Sequence, residues 1–261
     1  MKKVLLRIKL ILLVTISLIF SYSLKAESLE IISFGDSITA GMIRINGDIS
    51  CPSGVSNTRS VFTSADRRLL CNGYGAEGVG GYQPSLKSKL QSDGYSVLIY
   101  NHGYSGAESG QLTGMLNTFL NQKPNSDYIL IMSGANDSGD VSTSTFIFNT
   151  EFMIKASCNK GIVPIVATAT RRFDSSSRNN WILSYNEGIN DIKNPSECSS
   201  KGIKFRIADQ YEATNASKNF TDGIHLSSTG NLNMANEWYR ALTTSPSNNS
   251  FLPSVFLLLN E

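Results

Sequence analysis

Five residues, Ser37, Gly103, Asn136, Asp222 and His225, are of types that together carry out acyl transfer. A serine hydroxyl needs a base to be nucleophilic at neutral pH. The chain has only two histidines, His102 and His225, so candidates for that base are few. His225 follows Asp222 by three residues. In a loop or first helical turn, that spacing brings a carboxylate onto one ring nitrogen while the other faces the serine. His102 lies in the Gly-rich stretch Asn101-His102-Gly103-Tyr104-Ser105-Gly106 with no acid close on its C-terminal side, and reads as a loop residue or substrate contact. A tetrahedral intermediate also needs preorganised donors, and losing one costs roughly 2.7–4 kcal/mol of barrier. The N–H of Gly103, the side-chain amide of Asn136 and the N–H of Ser37 are the candidates.

Each of these residues taken singly has an ordinary structural explanation. A serine after a strand commonly caps a helix, an asparagine there closes an Asx-turn, and a glycine serves a turn with positive φ. An Asp and a His three apart also flank helix starts on many surfaces. What promotes Ser37 is its context. Gly35 and Asp36 permit a tight strand-to-helix turn that exposes the hydroxyl and aims backbone N–H groups at an incoming oxyanion.

The elements that must position these residues are legible as alternating runs. Leu29–Phe34, Tyr95–Tyr100, Asp127–Ser133, Ile162–Ala169 and Ile203–Ala208 are short, apolar and rich in β-branched residues. Continuous apolar strands imply burial on both faces, as in a parallel sheet. Amphipathic stretches at Pro84–Gln91, Gln111–Leu120, Phe146–Cys158, Trp181–Ile192 and Leu232–Leu242 read as helices. The alternation predicts a doubly wound α/β sandwich on a five-stranded, mostly parallel sheet. In such sheets ligands bind beyond the carboxyl ends of the strands. The motifs Gly35-Asp36-Ser37, Asn101 to Gly106 and Gly134-Ala135-Asn136-Asp137 follow the first three strands, and Asp222-Gly223-Ile224-His225 lies between the fifth strand and the last helix.

Residues 1–26 read as a secretory signal peptide: Lys2, Lys3, Arg7 and Lys9, then an apolar run from Leu10 to Phe20, then a small-residue ending at Ala26. An uncleaved anchor is the rival reading, but the apolar run falls short of the about 20 residues a membrane span needs. This segment holds five of the 23 basic residues and none of the 21 acidic ones, so the remainder carries 18 against 21, a net of −3. That balance gives no electrostatic case for nucleic acid or an anionic membrane as partner. The expected location is therefore secreted or periplasmic. Residues 27–242 form the predicted domain, with an insertion at about 42–80 rich in Gly, Ser and Asn. Residues 243–261 are a polar linker and a short apolar tail that either packs on the domain or touches a surface. The four cysteines, Cys51, Cys71, Cys158 and Cys198, suit two disulfides in an exported chain. Three pairings exist, and nearness in sequence suggests Cys51–Cys71 with Cys158–Cys198. No C-x-x-C occurs to support a zinc site.

The motifs GDSIT, N-x-G-x-S-G, G-x-N-D and D-x-x-H stand in the order, and near the spacings, found in the SGNH (GDSL) hydrolases, which this sequence resembles over roughly residues 30–242. The resemblance implies a three-layer, flavodoxin-like α/β/α fold and ester hydrolysis without a metal or cofactor. Position by position, it implies Ser37 as nucleophile, Gly103 and Asn136 as oxyanion donors, and Asp222 and His225 as acid and base. The segments GGYQPSLKSKL (80–90) and MANEWYRAL (234–242) are similar to secreted members that deacetylate carbohydrates. The chain departs from those members at Leu226 and Leu232, where they carry a proline and an aromatic residue. A short-acyl carbohydrate ester is thus the expected substrate. A lipase, lysophospholipase or thioesterase acting on longer chains, and a non-catalytic binding protein on the same scaffold, are the alternatives.

Overall fold

A computed structural model describes residues 26–45, 48–59 and 69–244. The expected signal peptide, all but its last residue, and the apolar tail lie outside the described residues. The central sheet has six strands. β1 (Ser28–Gly35) lies in the middle, with β7 (Ser96–Gly103) on one side and β8 (Tyr128–Met132) on the other. Beyond β8 come β9 (Val163–Ala167) and β10 (Arg206–Ala208), all parallel. The sixth, β6 (Ala76–Glu77), runs antiparallel to β7 at the far edge. The expected five strands are all present. The additional one is two residues long, too short to leave a pattern in sequence.

Burial on both faces is the physical origin of the continuous apolar runs. Ile31, Leu130, Ile165 and Ala208 share one apolar cluster with Leu86 and Leu90 of α2 (Gln83–Ser92) and Met234 and Trp238 of α7 (Ser228–Thr243). Ile32, Phe34, Ile129 and Ile131 face the other way. They pack with Leu112 and Leu116 of α3 (Ser109–Gln122), Met153 of α4 (Thr143–Asn159) and Ile182 of α5 (Ser176–Asp191). Helices on both faces of a mostly parallel sheet make the three layers. Among the described residues no helix is long and apolar enough to cross a membrane.

The insertion is ordered where it is described. β2 (Ile43–Ile45) pairs with β3 (Asp48–Ser50), and β4 (Ser56–Arg59) with β5 (Leu69–Asn72), both antiparallel. A Cys51–Cys71 disulfide closes it. From β5 the chain runs along the end of β7: Gly73 N–H donates to the Gly103 carbonyl at 2.8 Å and Gly75 N–H to that of Asn101 at 2.7 Å. The second disulfide, Cys158–Cys198, ties the end of α4 to the one-turn helix α6 (Ser196–Ser199).

A second one-turn helix, α1 (Ser37–Ala40), leaves the end of β1. Asp36 caps it, its carboxylate accepting the Ile38 N–H at 2.9 Å. Burial pushes the Asp36 carboxyl up to about 6, a rise that the Ile38 bond and the charge of Arg172 only partly offset.

A raised folded pKa means that the folded state holds its proton more tightly than the unfolded chain. The Asp36 contribution is therefore intact below the ordinary carboxylate value and is lost as pH rises to about 6. Asp36→Asn keeps the capping oxygen and removes the charge. Its stability relative to wild type should be greater at pH 8 than at pH 4, by on the order of 3 kcal/mol, as read from denaturant melts. A pH-independent difference would overturn that. Separately, replacing Cys158 and Cys198 together by serine should cost about 3–4 kcal/mol and lower Tm by roughly 10 °C, and an unchanged Tm would show that this bridge contributes no stability.

Candidate active site

The catalytic geometry begins where β1 gives way to α1. Gly35 and Gly103 stand opposite each other in the β1–β7 register. A Cβ at Gly35 would lie 2.3 Å from the Met132 carbonyl oxygen, and one at Gly103 would lie 2.1 Å from the Ala40 nitrogen. The bare Cα of Gly103 lets α1 settle onto the strand ends and that of Gly35 lets β8 close on β1, and the Ser37 hydroxyl lies 3.1 Å from Nε2 of His225. Both residues are buried.

His225 is held from behind. Its Nδ1 lies 2.8 Å from Oδ2 of Asp222. The carboxylate can only accept, so Nδ1 carries the proton and Nε2 is left to accept from Ser37. The other carboxylate oxygen of Asp222 accepts the N–H groups of Ile224 at 3.0 Å and His225 at 2.8 Å. The Thr221 N–H closes the loop onto the His225 carbonyl at 2.8 Å. Burial alone would raise the Asp222 carboxyl. The hydrogen bonds from the His225 ring and the two backbone donors outweigh burial and hold the carboxyl at about 2.

Asn136 is half-buried after β8, and its Nδ2 donates to the Ala107 carbonyl at 2.9 Å, which leaves one amide hydrogen uncommitted. Gly103 differs from the sequence expectation. Its N–H is already taken by the side-chain oxygen of Asn101 at 2.9 Å, and its bare Cα is needed for the approach of α1. The free donor in the same motif is Gly106. It has φ +83°, open space where a Cβ would be, and an N–H without an acceptor among the described residues. It immediately precedes Ala107, the residue that Asn136 holds. Two glycines of the N-x-G-x-S-G motif were available in sequence, and only backbone direction separates them.

His102 takes no part in the hydrogen-bonded line from Asp222 to Ser37. It lies in β7, buried, with its ring 4.2 Å from that of Phe119 and its Nδ1 3.3 Å from the Tyr104 hydroxyl. Burial, with the charge of Lys123, pushes it down to about 4, so it stays neutral.

Arg172 has no motif to announce it, yet it ties the strand-end loops together. Its Nη1 donates to the Ala135 carbonyl at 2.5 Å and to Ser138 Oγ at 3.2 Å, beside Asn136. Its Nε and Nη2 grip Asp174 at 2.7 and 2.6 Å. Asp137 similarly holds the start of α3, accepting the Ser109 N–H at 2.9 Å. In sequence Arg172 is an ordinary loop charge that only burial marks, whereas Asp137 is the acid of the G-x-N-D motif. Among the described residues no group of three or more His, Cys, Asp or Glu side chains is placed to hold a metal ion.

The family model described as GDSL-like lipase/acylhydrolase matches residues 69–232, a stretch that contains Gly106, Asn136, Asp222 and His225 and begins after Ser37. No curated protein matches the chain. Similar solved structures include the lipase/acylhydrolase from Enterococcus faecalis, 18% identical with a TM-score of 0.57 over 85% of this chain and 100% of that one. Another is the acetylxylan esterase Axe2 from Geobacillus stearothermophilus, 15% identical with a TM-score of 0.57 over 84% of this chain and 96% of that one. A third is a lipolytic protein of the G-D-S-L family from Veillonella parvula, 17% identical with a TM-score of 0.56 over 83% and 100%. At these identities the structures establish the shared fold. The family match, which spans more than half of the chain, carries the assignment: the chain belongs to the GDSL-like lipase/acylhydrolase family and is a serine carboxylic ester hydrolase.

Proposed function

We propose that this protein is an exported esterase that removes short acyl groups, acetyl above all, from carbohydrates through an acyl-enzyme on Ser37. The observation that carries the chemistry is the unbroken hydrogen-bonded line from Asp222 through His225 to Ser37. His225 Nε2 takes the serine proton as Oγ attacks the ester carbonyl, then delivers it to the departing alkoxide. A water deprotonated by the same nitrogen then attacks the acyl-serine, and Ser37 regains its proton as the carboxylic acid leaves. Asp222 keeps its charge throughout and fixes the ring tautomer. The N–H groups of Ser37 and Gly106 and the second amide hydrogen of Asn136 are the donors assigned to the oxyanion.

Support for the acetylated carbohydrate comes from the likeness of the fold to an acetylxylan esterase and from the two sequence segments similar to those of secreted deacetylating members. The two disulfides fit an oxidising compartment, as export requires.

Ser37→Ala should abolish labelling by a fluorophosphonate probe and lower ester hydrolysis by about 10⁴-fold or more. A folded wild-type protein that fails to label would favour the non-catalytic alternative. Asn136→Ala should lower kcat about 10²–10³-fold with little change in KM, and an unchanged kcat would remove Asn136 from the oxyanion site. Across p-nitrophenyl esters from acetate to palmitate the rate should be highest at acetate, whereas a maximum at long chains would establish the lipase-like alternative.

A further inference from the structure

One apolar side chain beside the site is left uncovered and yet is fixed in place. Phe173 follows the carboxyl end of β9, the end of the sheet at which Ser37, Asn136 and the Asp222–His225 loop gather. It is 40% exposed. Its backbone is anything but loose. The Phe173 N–H donates to the Gly223 carbonyl at 2.9 Å, inside the Asp222–His225 loop itself. Gly223 has φ +85°, and a Cβ there would lie 2.7 Å from the Asp174 nitrogen and 3.1 Å from the Phe173 carbonyl carbon, so the two loops are in direct backbone contact. On either side of Phe173, buried Arg172 and its partner Asp174 form a two-bond clamp. The ring leans on Phe220 at 5.2 Å between centroids with the planes at 55°.

An exposed phenylalanine on a mobile loop needs no explanation. Here a clamped loop presents the ring beside the residues that bear the base, so its position is defined before substrate arrives, and preorganisation of that kind lowers the cost of binding. The face of an aromatic ring is electron-rich. It suits the C–H face of a pyranose, which is apolar and slightly positive, while the sugar hydroxyls remain in water. We propose that Phe173 is a specificity-determining residue, the platform on which the sugar ring of the ester lies while its acyl group reaches Ser37. This rests on the carbohydrate-ester reading above and assigns the alcohol side of that site.

The test compares acetate release from acetylated xylo-oligosaccharides with that from triacetin, which has the same acyl group but no ring. Phe173→Leu keeps apolar contact with Phe220 and removes the aromatic face. Phe173→Tyr keeps the face. Phe173→Leu and Phe173→Ala should lower the ratio of kcat/KM for the sugar ester over triacetin by roughly three- to tenfold, mainly through KM, and Phe173→Tyr should restore it. An unchanged ratio in Phe173→Leu, or equal losses on both substrates, would overturn the platform while leaving carbohydrate esterase activity in place. Wild-type protein that cleaves triacetin but releases no acetate from the oligosaccharide would instead overturn the carbohydrate reading, and the platform with it.

Discussion

The turn from β1 into α1 is the constraint on which the site depends. The chain passes from strand to helix through one capping residue, Asp36, and α1 comes to rest on the strand ends. That approach is possible because Gly103, opposite Gly35 in the β1–β7 register, has no side chain in the way of the helix backbone, while the bare Cα of Gly35 admits the Met132 carbonyl of β8 and the Thr39 hydroxyl. A methyl at either position would meet backbone atoms at 2.3 Å or less, where nothing flexible can give way. The same close packing buries the Asp36 carboxylate. The result is a capping group that holds the Ser37 turn and titrates near 6 as its consequence.

Two acidic groups of the site are pushed in opposite directions by their surroundings. Asp36 is deeply buried with one backbone donor, and burial dominates. Asp222 is also partly buried, but it accepts from two backbone N–H groups and from the His225 ring, and these dominate. The Asp222 carboxylate, accepting from Nδ1, is what keeps the imidazole in one tautomer. Around them the loops are fastened by polar contacts of buried side chains: Arg172 joins the segment before Asn136 to Asp174, and Asp137 anchors the start of α3. The insertion adds a further restraint. The Cys71 carbonyl accepts the Ser105 hydroxyl at 2.6 Å, so the disulfide-bearing strand holds the residue just before Gly106.

Much of the fold is legible because a sheet buried on both faces demands unbroken apolar strands. Those runs locate β1, β7, β8, β9 and β10 to within a few residues. Helix ends are less visible, since caps such as Ser142 and Ser175 act through a single side-chain oxygen accepting one backbone N–H. β10 is shorter than its apolar run, Ile203–Ala208, because only Arg206–Ala208 pair with β9. The small strands of the insertion leave no pattern, as each is only two to four residues long.

For the site, the sequence by itself determined which serine, which histidine and which acid were candidates. Chemistry limits the residue types, the chain has two histidines, and Asp222 and His225 lie close enough along the chain for local geometry to pair them. It also carried the order of motifs by which the family is recognised. Tertiary structure alone decided which glycine offers a donor. Gly103 and Gly106 share one motif, but Asn101 takes the N–H of the first and α1 takes the space at its Cα, while the second turns through positive φ with its N–H unclaimed among the described residues. It alone also decided that Arg172 is a buried tie and that Phe173 stays exposed, because both depend on contacts with residues more than 30 positions away.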